Sequence, residues 1–305
     1  TGVNQGCVLS PTLFLIVLDA VMRKVTLRRK FGIQWGMRER LEDLDYADDI
    51  CMMAQRMSDL KEKLKRLQLE AAKAGLIVNT SKTKDMRVNP NVTEMLAVQG
   101  QDLETVSVFP YLGSLVSVAG GTDEDVKSRI QKANGAFVQL YPLWRNRNIA
   151  LKTKIRLFNT NVKSVLLYGS ETWRVTRTIT NNLQVFVNRC LKRILGIRWP
   201  EVIRNTDLWS RTCQKPVDEE IRRRKWNWIG HTLRKRQGAI ERAALDWNPQ
   251  GARRRGRPRI TWRRSVAAEV EGTGVTWSEA KALARDRDGW RRFVEALCSN
   301  GRYRT

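Results

Sequence analysis

An α+β fold is predicted, sheet-bearing at the front and helical behind, and three observations predict it. Residues 31–56 read as strands around a tight turn, and residues 86–117 alternate apolar and polar side chains in the manner of β-strands. Helical periods lie before and between these stretches. After Gly120-Gly121 the apolar spacing becomes helical and stays so. The chain has 305 residues, 42% of them hydrophobic, so it can bury a core, and its length suits two or three domains. Changes near Gly120 and near Trp199-Pro200 divide it into residues 1–120, 121–199 and 200–305.

Taken in order, Ser10-Pro11 starts a helix that runs to about Val25, with Ser10 as its cap and Pro11 at its first position. Its side chains are apolar on nearly every side through Val21, which predicts burial. From Ser58 a helix carries Leu60, Leu64, Leu67 and Ala71 on one face and closes at Gly75. Leu76-Ile77-Val78 reads as a short core strand. Thr122 caps a helix whose first turn holds Asp123, Glu124 and Asp125, as the helix dipole favours. Val126, Ile130, Ala133, Phe137 and Leu140 form its buried stripe. Further helices are predicted near 150–167, 180–196, 217–235 and 277–298, with the Gly/Arg/Pro-rich run 250–259 as a linker.

Charge narrows the function classes. The formal net charge is +25, and residues 181–305 hold 29 Lys and Arg against 13 Asp and Glu, whereas residues 1–180 hold 27 against 18. Such a balance calls for a polyanionic partner. Nucleic acid is the first reading and an anionic membrane surface the weaker one. The five cysteines are scattered, and His231 is the single histidine. Neither a disulfide framework nor a structural zinc site fits that pattern, and the free thiols suit a reducing compartment. No apolar run is long enough to span a membrane, so no membrane partner is expected.

The sharpest local signal is Asp45-Tyr46-Ala47-Asp48-Asp49-Ile50. Adjacent carboxylates in a hairpin turn raise each other's pKa unless a cation sits between them, and a divalent metal removes the conflict. An ordinary acidic turn is the alternative. Gln5-Gly6 precedes a helix start, where Gly permits close backbone approach and Gln both donates and accepts; a plain turn is the alternative. Lys82 lies in a polar turn, as a solvated surface lysine would. Tyr111-Leu112-Gly113 pairs an aromatic with a permissive Gly in a hairpin, and a core tyrosine reads the same way. Tyr46 is expected to pack beneath the acidic turn.

These segments share one order with a known family. Tyr46-Ala47-Asp48-Asp49 resembles the catalytic box of reverse transcriptases in its LINE and group II intron form. Residues 2–14, beginning Gly2-Val3-Asn4-Gln5-Gly6, are similar to the nucleotide-contacting segment that precedes the box. Gly75–Lys84 resembles the next motif, and Phe109-Pro110-Tyr111-Leu112-Gly113-Ser114 resembles the primer grip. The resemblance is to the reverse transcriptase of a non-LTR, RTE-like retrotransposon. It implies RNA-directed DNA synthesis from a dNTP on an RNA template and a DNA primer. Asp48 and Asp49 would be catalytic ligands of two Mg2+ ions (or Mn2+), and Lys82 a general acid to the leaving pyrophosphate. Gln5 and Gly6 would touch the nucleotide, and Tyr111, Leu112 and Gly113 the primer.

The same resemblance implies a partial right-hand polymerase palm over 1–120, an antiparallel sheet with helices. A helical thumb over 121–199 and a basic, mostly α-helical nucleic-acid-binding region over 200–305 would follow it. Weaker similarity continues through Leu166–Trp173, Arg189–Trp199 and Trp228–Lys235. Arg253, Arg254, Arg255, Arg257 and Arg259 make the densest basic run. It reads as an AT-hook, as a phosphate-binding linker or as a nuclear-localisation signal, and a nuclear location with a cytoplasmic ribonucleoprotein stage is expected. The tail tryptophans Trp226, Trp228, Trp247, Trp262, Trp277 and Trp290 serve either as base-stacking platforms or as core. The family's third catalytic carboxylate lies upstream of the box, and no residue here fits it. Thr1 starts within a motif, so a fragment is expected, without most of the fingers or an endonuclease domain and inactive in isolation. A non-catalytic nucleic-acid-binding remnant is the competing reading.

Overall fold

The computed structural model describes residues 6–27, 31–35, 39–88, 91, 93–247 and 261–299. Gln5 and the arginines Arg253, Arg254, Arg255, Arg257 and Arg259 lie outside the described residues. The chain is α+β and divides into two compact units. Of the described residues, one unit holds those up to Ala119 together with Trp247, and the other holds Gly120–Asp246 and residues 261–299.

In the first unit, α1 (Ser10–Thr26) is followed by β1 (Ile33–Gln34), β2 (Arg40–Leu41), β3 (Asp43–Tyr46) and β4 (Asp49–Met52). Then come α2 (Met57–Lys73), β5 (Lys84–Asp85), β6 (Ala97–Val98), β7 (Gln101–Asp102), β8 (Glu104–Thr105), β9 (Val108–Tyr111) and β10 (Ser114–Ser117). Helix α1 packs on α2 through Leu18, Val21, Met22, Val25, Leu67 and Ala71, with Ile50 and Met52 of the β3–β4 hairpin against them. The predicted stripe of α2 is therefore real. The predicted sheet is broken up: among the described residues the strands form two-stranded ladders only, β5–β8 parallel and the rest antiparallel.

Several expectations for this unit need correction. Ser10 is the first helical residue, and Leu9 occupies the cap position without a side-chain cap. Only the second half of α1 is buried; Leu13, Leu15, Ile16 and Val17 are exposed. Apolar character all round does not bury a helix whose neighbours cover one stripe. Residues 76–78 form no strand, although Leu76 and Val78 point into the core and Ile77 outward, as alternation requires.

The second unit is helical: α3 (Asp123–Gln139), α4 (Tyr141–Arg145), α5 (Leu151–Leu157), a π-helical turn Phe158–Lys163, α6 (Ser164–Leu166), α7 (Arg177–Leu195) and α8 (Asn205–Thr212) come first. They continue into α9 (Val217–Leu233), α10 (Ile240–Asp246), α11 (Trp262–Glu271), α12 (Trp277–Leu283) and α13 (Arg287–Ser299). Two apolar clusters hold it. One is built on α3 to α8, with Val126, Phe137, Phe158, Leu183 and Leu191, and takes Val217 and Ile221 from α9. The other takes Trp226, Ile229 and Leu233 from α9 and packs them on α11 to α13. Helix α9 is thus shared by both. Thr122 caps α3 in position, but its hydroxyl donates to the Arg174 carbonyl at 3.1 Å.

The single helix predicted over 277–298 is two helices. Asp286 interrupts it: its side chain accepts from the Asp288 amide at 3.0 Å, which is the behaviour of an N-cap. Of the tail tryptophans, Trp226 and Trp290 are core, Trp228, Trp262 and Trp277 pack half-buried against it, and Trp247 stacks on Trp35 at 4.8 Å. Trp226 is fully buried and donates to Glu269 at 2.6 Å, and the Trp290 indole donates to the Trp226 carbonyl at 3.1 Å. That indole lies directly over Gly230, where a Cβ would come within 2.1 Å of its nitrogen. Gly230→Ala should therefore destabilise the unit. Overpacking costs about 1–3 kcal/mol and outweighs the gain of about 1 kcal/mol in helix propensity. A thermal melt checks this, and an unchanged or higher Tm would contradict it.

Candidate active site

The acidic pair sits at the tip of a two-residue hairpin. β3 and β4 pair from Asp43↔Met52 to Tyr46↔Asp49, leaving Ala47 and Asp48 as the turn. Ala47 has φ +55°, a left-handed conformation that costs a non-glycine residue about 1–2 kcal/mol. Asp48 and Asp49 are both exposed. Tyr46 is 67% exposed, so it does not pack beneath the turn as expected. Its register explains why: Tyr46 pairs with Asp49, while Ile50 and Met52, paired with Asp45 and Asp43, are the residues that meet the core.

Two tethers fix the hairpin. At its base, Lys63 of α2 is 1% exposed and donates at 2.8 Å to the carbonyls of Glu42, just before β3, and Met53, just after β4. Its ammonium also forms an ion pair with the Glu42 carboxylate at 2.5 Å. Higher up, the Tyr111 hydroxyl donates to the Leu44 carbonyl of β3 at 2.9 Å. Burial raises the Tyr111 phenol pKa, and the nearby Cys51, Asp45 and Asp49 add to the shift. Tyr111 ends β9, and the turn to β10 uses Leu112 at φ +48° and Gly113 at φ +80°, both left-handed as a tight hairpin of this kind demands. The structure thus joins the 45–50 and 109–114 motifs, which the sequence could only set in order. Lys63 is the residue that sequence reasoning missed. Its signal was a lysine on the leucine face of α2, between Leu60 and Leu64.

The other candidates are less closely engaged. Gly6 has φ +88° in the turn entering α1. Lys82 lies in a turn organised by Asn79, whose side chain accepts from the Lys82 amide at 3.1 Å. Its own side chain is exposed and forms no ion pair with Asp48 or Asp49. Among the described residues, no three His, Cys, Asp or Glu side chains converge as a metal site. Two exposed carboxylates do fit Mg2+, which is bound by one or two carboxylates and completed by substrate phosphates.

Comparison with known proteins follows the same geometry. Residues 1–116 match the family described as reverse transcriptase (RNA-dependent DNA polymerase). A retrovirus-related Pol polyprotein from a type-1 retrotransposable element, R2 of Nasonia vitripennis, is 33% identical over 93 residues, covering 30% of this chain and 9% of that protein. Residues 1–116 are thus similar to reverse transcriptases, and part of this stretch is similar to one from a retrotransposable element. A putative uncharacterized transposon-derived protein of Caenorhabditis elegans is 24% identical over 278 residues, covering 85% of this chain and 97% of that protein. Residues 136–168 also match a family described as a domain of unknown function.

Beside the hairpin, the first unit forms a groove of about 320 Å³ lined by Leu18, Asp19, Met22 and Arg23 of α1 and by Asp43, Asp45 and Ala47. Asp45 stands at its rim. Loss of water on the groove side, then the hydrogen bond and charge of Asp43, push its pKa up to about 7. An unfolded aspartate titrates near 3.9. Between those values the folded chain keeps a proton that the unfolded chain has released. The stabilising contribution is therefore present at acid pH and is lost as pH rises through about 7. Melting of the segment should occur at a lower temperature at pH 8 than at pH 5, and Asp45→Asn should flatten that slope. A variant with the wild-type slope would contradict the assignment.

Proposed function

We propose that the chain is the palm and thumb portion of an RNA-directed DNA polymerase from a non-LTR retrotransposon, extending a DNA primer on an RNA template. The observation that carries this reading is the exposed Asp48–Asp49 pair on a hairpin tethered by Lys63 and by Tyr111. Asp48 and Asp49 would hold Mg2+, or Mn2+ in its place. When bound, the metal supplies charge neutralisation and a lowered pKa for the primer hydroxyl. The two carboxylates hold their positions because the hairpin cannot slide: Lys63 grips both of its ends. Tyr111, Leu112 and Gly113 would support the primer backbone next to the acids, and Gln5 and Gly6 would meet the incoming dNTP. Lys82 would protonate the leaving pyrophosphate. The first unit corresponds to a palm and the front of the second to a thumb, whose cations would hold the template–primer duplex through phosphates. Arg253–Arg259 would extend that grip and serve nuclear entry.

A second reading is favoured by one observation: among the described residues no three His, Cys, Asp or Glu side chains converge to hold a metal ion. On that ground the isolated chain is read as inactive, its role reduced to nucleic-acid binding unless a further carboxylate is supplied. Primer extension on an RNA template decides between them, with and without a polypeptide carrying the preceding reverse transcriptase segment. Extension on complementation supports the polymerase. Salt-sensitive RNA binding with no extension under either condition supports the binding remnant.

A further inference from the structure

The tryptophans divide sharply. Ten of the eleven are buried or half-buried, while Trp199, in the loop from α7 to α8, is 93% exposed. Nothing in the loop leaves it loose. Gly196 closes α7 at φ +77°, with its amide on the Arg193 carbonyl at 3.2 Å and the Ile197 amide on that of Lys192 at 3.0 Å. The Glu201 amide then donates to the Arg198 carbonyl at 2.8 Å, which sets Trp199-Pro200 at the tip of a closed turn. Beyond it, Ile203 packs against the helical core and the Leu208 amide returns to Arg204 at 3.0 Å. The ring is held out by a turn fixed on both sides.

Its charge setting is equally uneven. Residues 192–204 hold Lys192, Arg193, Arg198 and Arg204 against one acid, Glu201, and among the described residues none of these four cations is in an ion pair. Nearby α9 shows the opposite: Arg222, Arg223, Arg224 and Lys225 each pair with a carboxylate. The cations around Trp199 are left for a ligand. Val202, 89% exposed, adds a small apolar contact on the same turn.

We propose that this turn binds single-stranded nucleic acid, with an unpaired base stacked on Trp199 and the flanking phosphates held by Arg198 and Arg204. An indole face accepts any base, and guanidiniums beside it supply the backbone attraction. A duplex offers no free base face, so the site selects unpaired strands. One tryptophan and one valine are too little apolar surface to seat a lipid bilayer, whereas the unneutralised cations match a polyphosphate. The proposal rests on the nucleic-acid reading above and adds to it a residue and a strand class.

The test is fluorescence anisotropy of the full chain with a short labelled oligouridine, with the same strand in duplex, and with anionic vesicles as a third arm. Trp199→Ala should weaken oligouridine binding about five- to a hundredfold, leave the salt dependence unchanged and spare duplex binding. Trp199→Phe should restore most of the loss. Arg198→Gln with Arg204→Gln should instead make the salt dependence shallower by about 1.4 units of slope. Equal affinity of Trp199→Ala and wild type for oligouridine would overturn the proposal, as would an equal loss on duplex or a loss confined to vesicles. Failure of the wild-type chain to bind any nucleic acid would overturn the functional reading itself. Trp199 is solvent-exposed, so the variants should melt with the wild type.

Discussion

Asp48→Asn combined with Asp49→Asn is expected to lower complemented, template-directed nucleotide addition by on the order of a thousandfold. Removing the carboxylate charge removes the ligands for a divalent cation, whose stabilisation of developing charge is worth several kcal/mol, and each 1.36 kcal/mol is about tenfold in rate. Both side chains are exposed at a turn, and neither supports the core. Folding and RNA affinity should therefore survive. Asparagine keeps size and hydrogen-bonding capacity and changes charge alone. A double variant that retains a tenth or more of the wild-type rate would remove these acids from the chemistry.

Lys63→Ala is expected to cost the first unit about 3–5 kcal/mol, the usual consequence of removing one partner of a buried ion pair. The ammonium is 1% exposed, donates to two carbonyls and pairs with the Glu42 carboxylate, so its loss leaves all three without that partner. The effect should concentrate on the β3–β4 hairpin, because Glu42 and Met53 bracket it. Urea unfolding gives the total, and hydrogen exchange of the amides over 41–53 locates it. A loss below about 1 kcal/mol, or exchange unchanged in that stretch, would mean that the clamp does not hold the hairpin.

Much of this was legible in the sequence where local chemistry decides structure. The acidic hairpin, the leucine face of α2, the stripe of α3 and the helices α7 and α9 follow from spacing that each segment carries within itself. What escaped depends on distant partners. Burial of α1 was expected from its composition, but α2 and the hairpin cover only the face with Leu18, Val21, Met22 and Val25. The clamp by Lys63 unites residues 42, 53 and 63; its place on the leucine face of α2 hints at burial, but nothing local names the carbonyls it reaches. The long helix over 277–298 broke because one aspartate, Asp286, prefers to cap than to continue. Likewise the tail tryptophans could be read as core or as platforms until burial assigned Trp226 and Trp290 to the core.

The most direct test of the account is a Mn2+ titration of the full chain, followed by the electron paramagnetic resonance of the free ion. Mn2+ shares the oxygen-ligand preference of Mg2+. The account predicts a site that Mg2+ displaces and that is weakened at least about tenfold, or 1.4 kcal/mol, in the Asp48→Asn, Asp49→Asn chain. Equal Mn2+ affinity in the two chains would contradict it, since the hairpin would then carry its paired acids for some purpose other than a divalent cation.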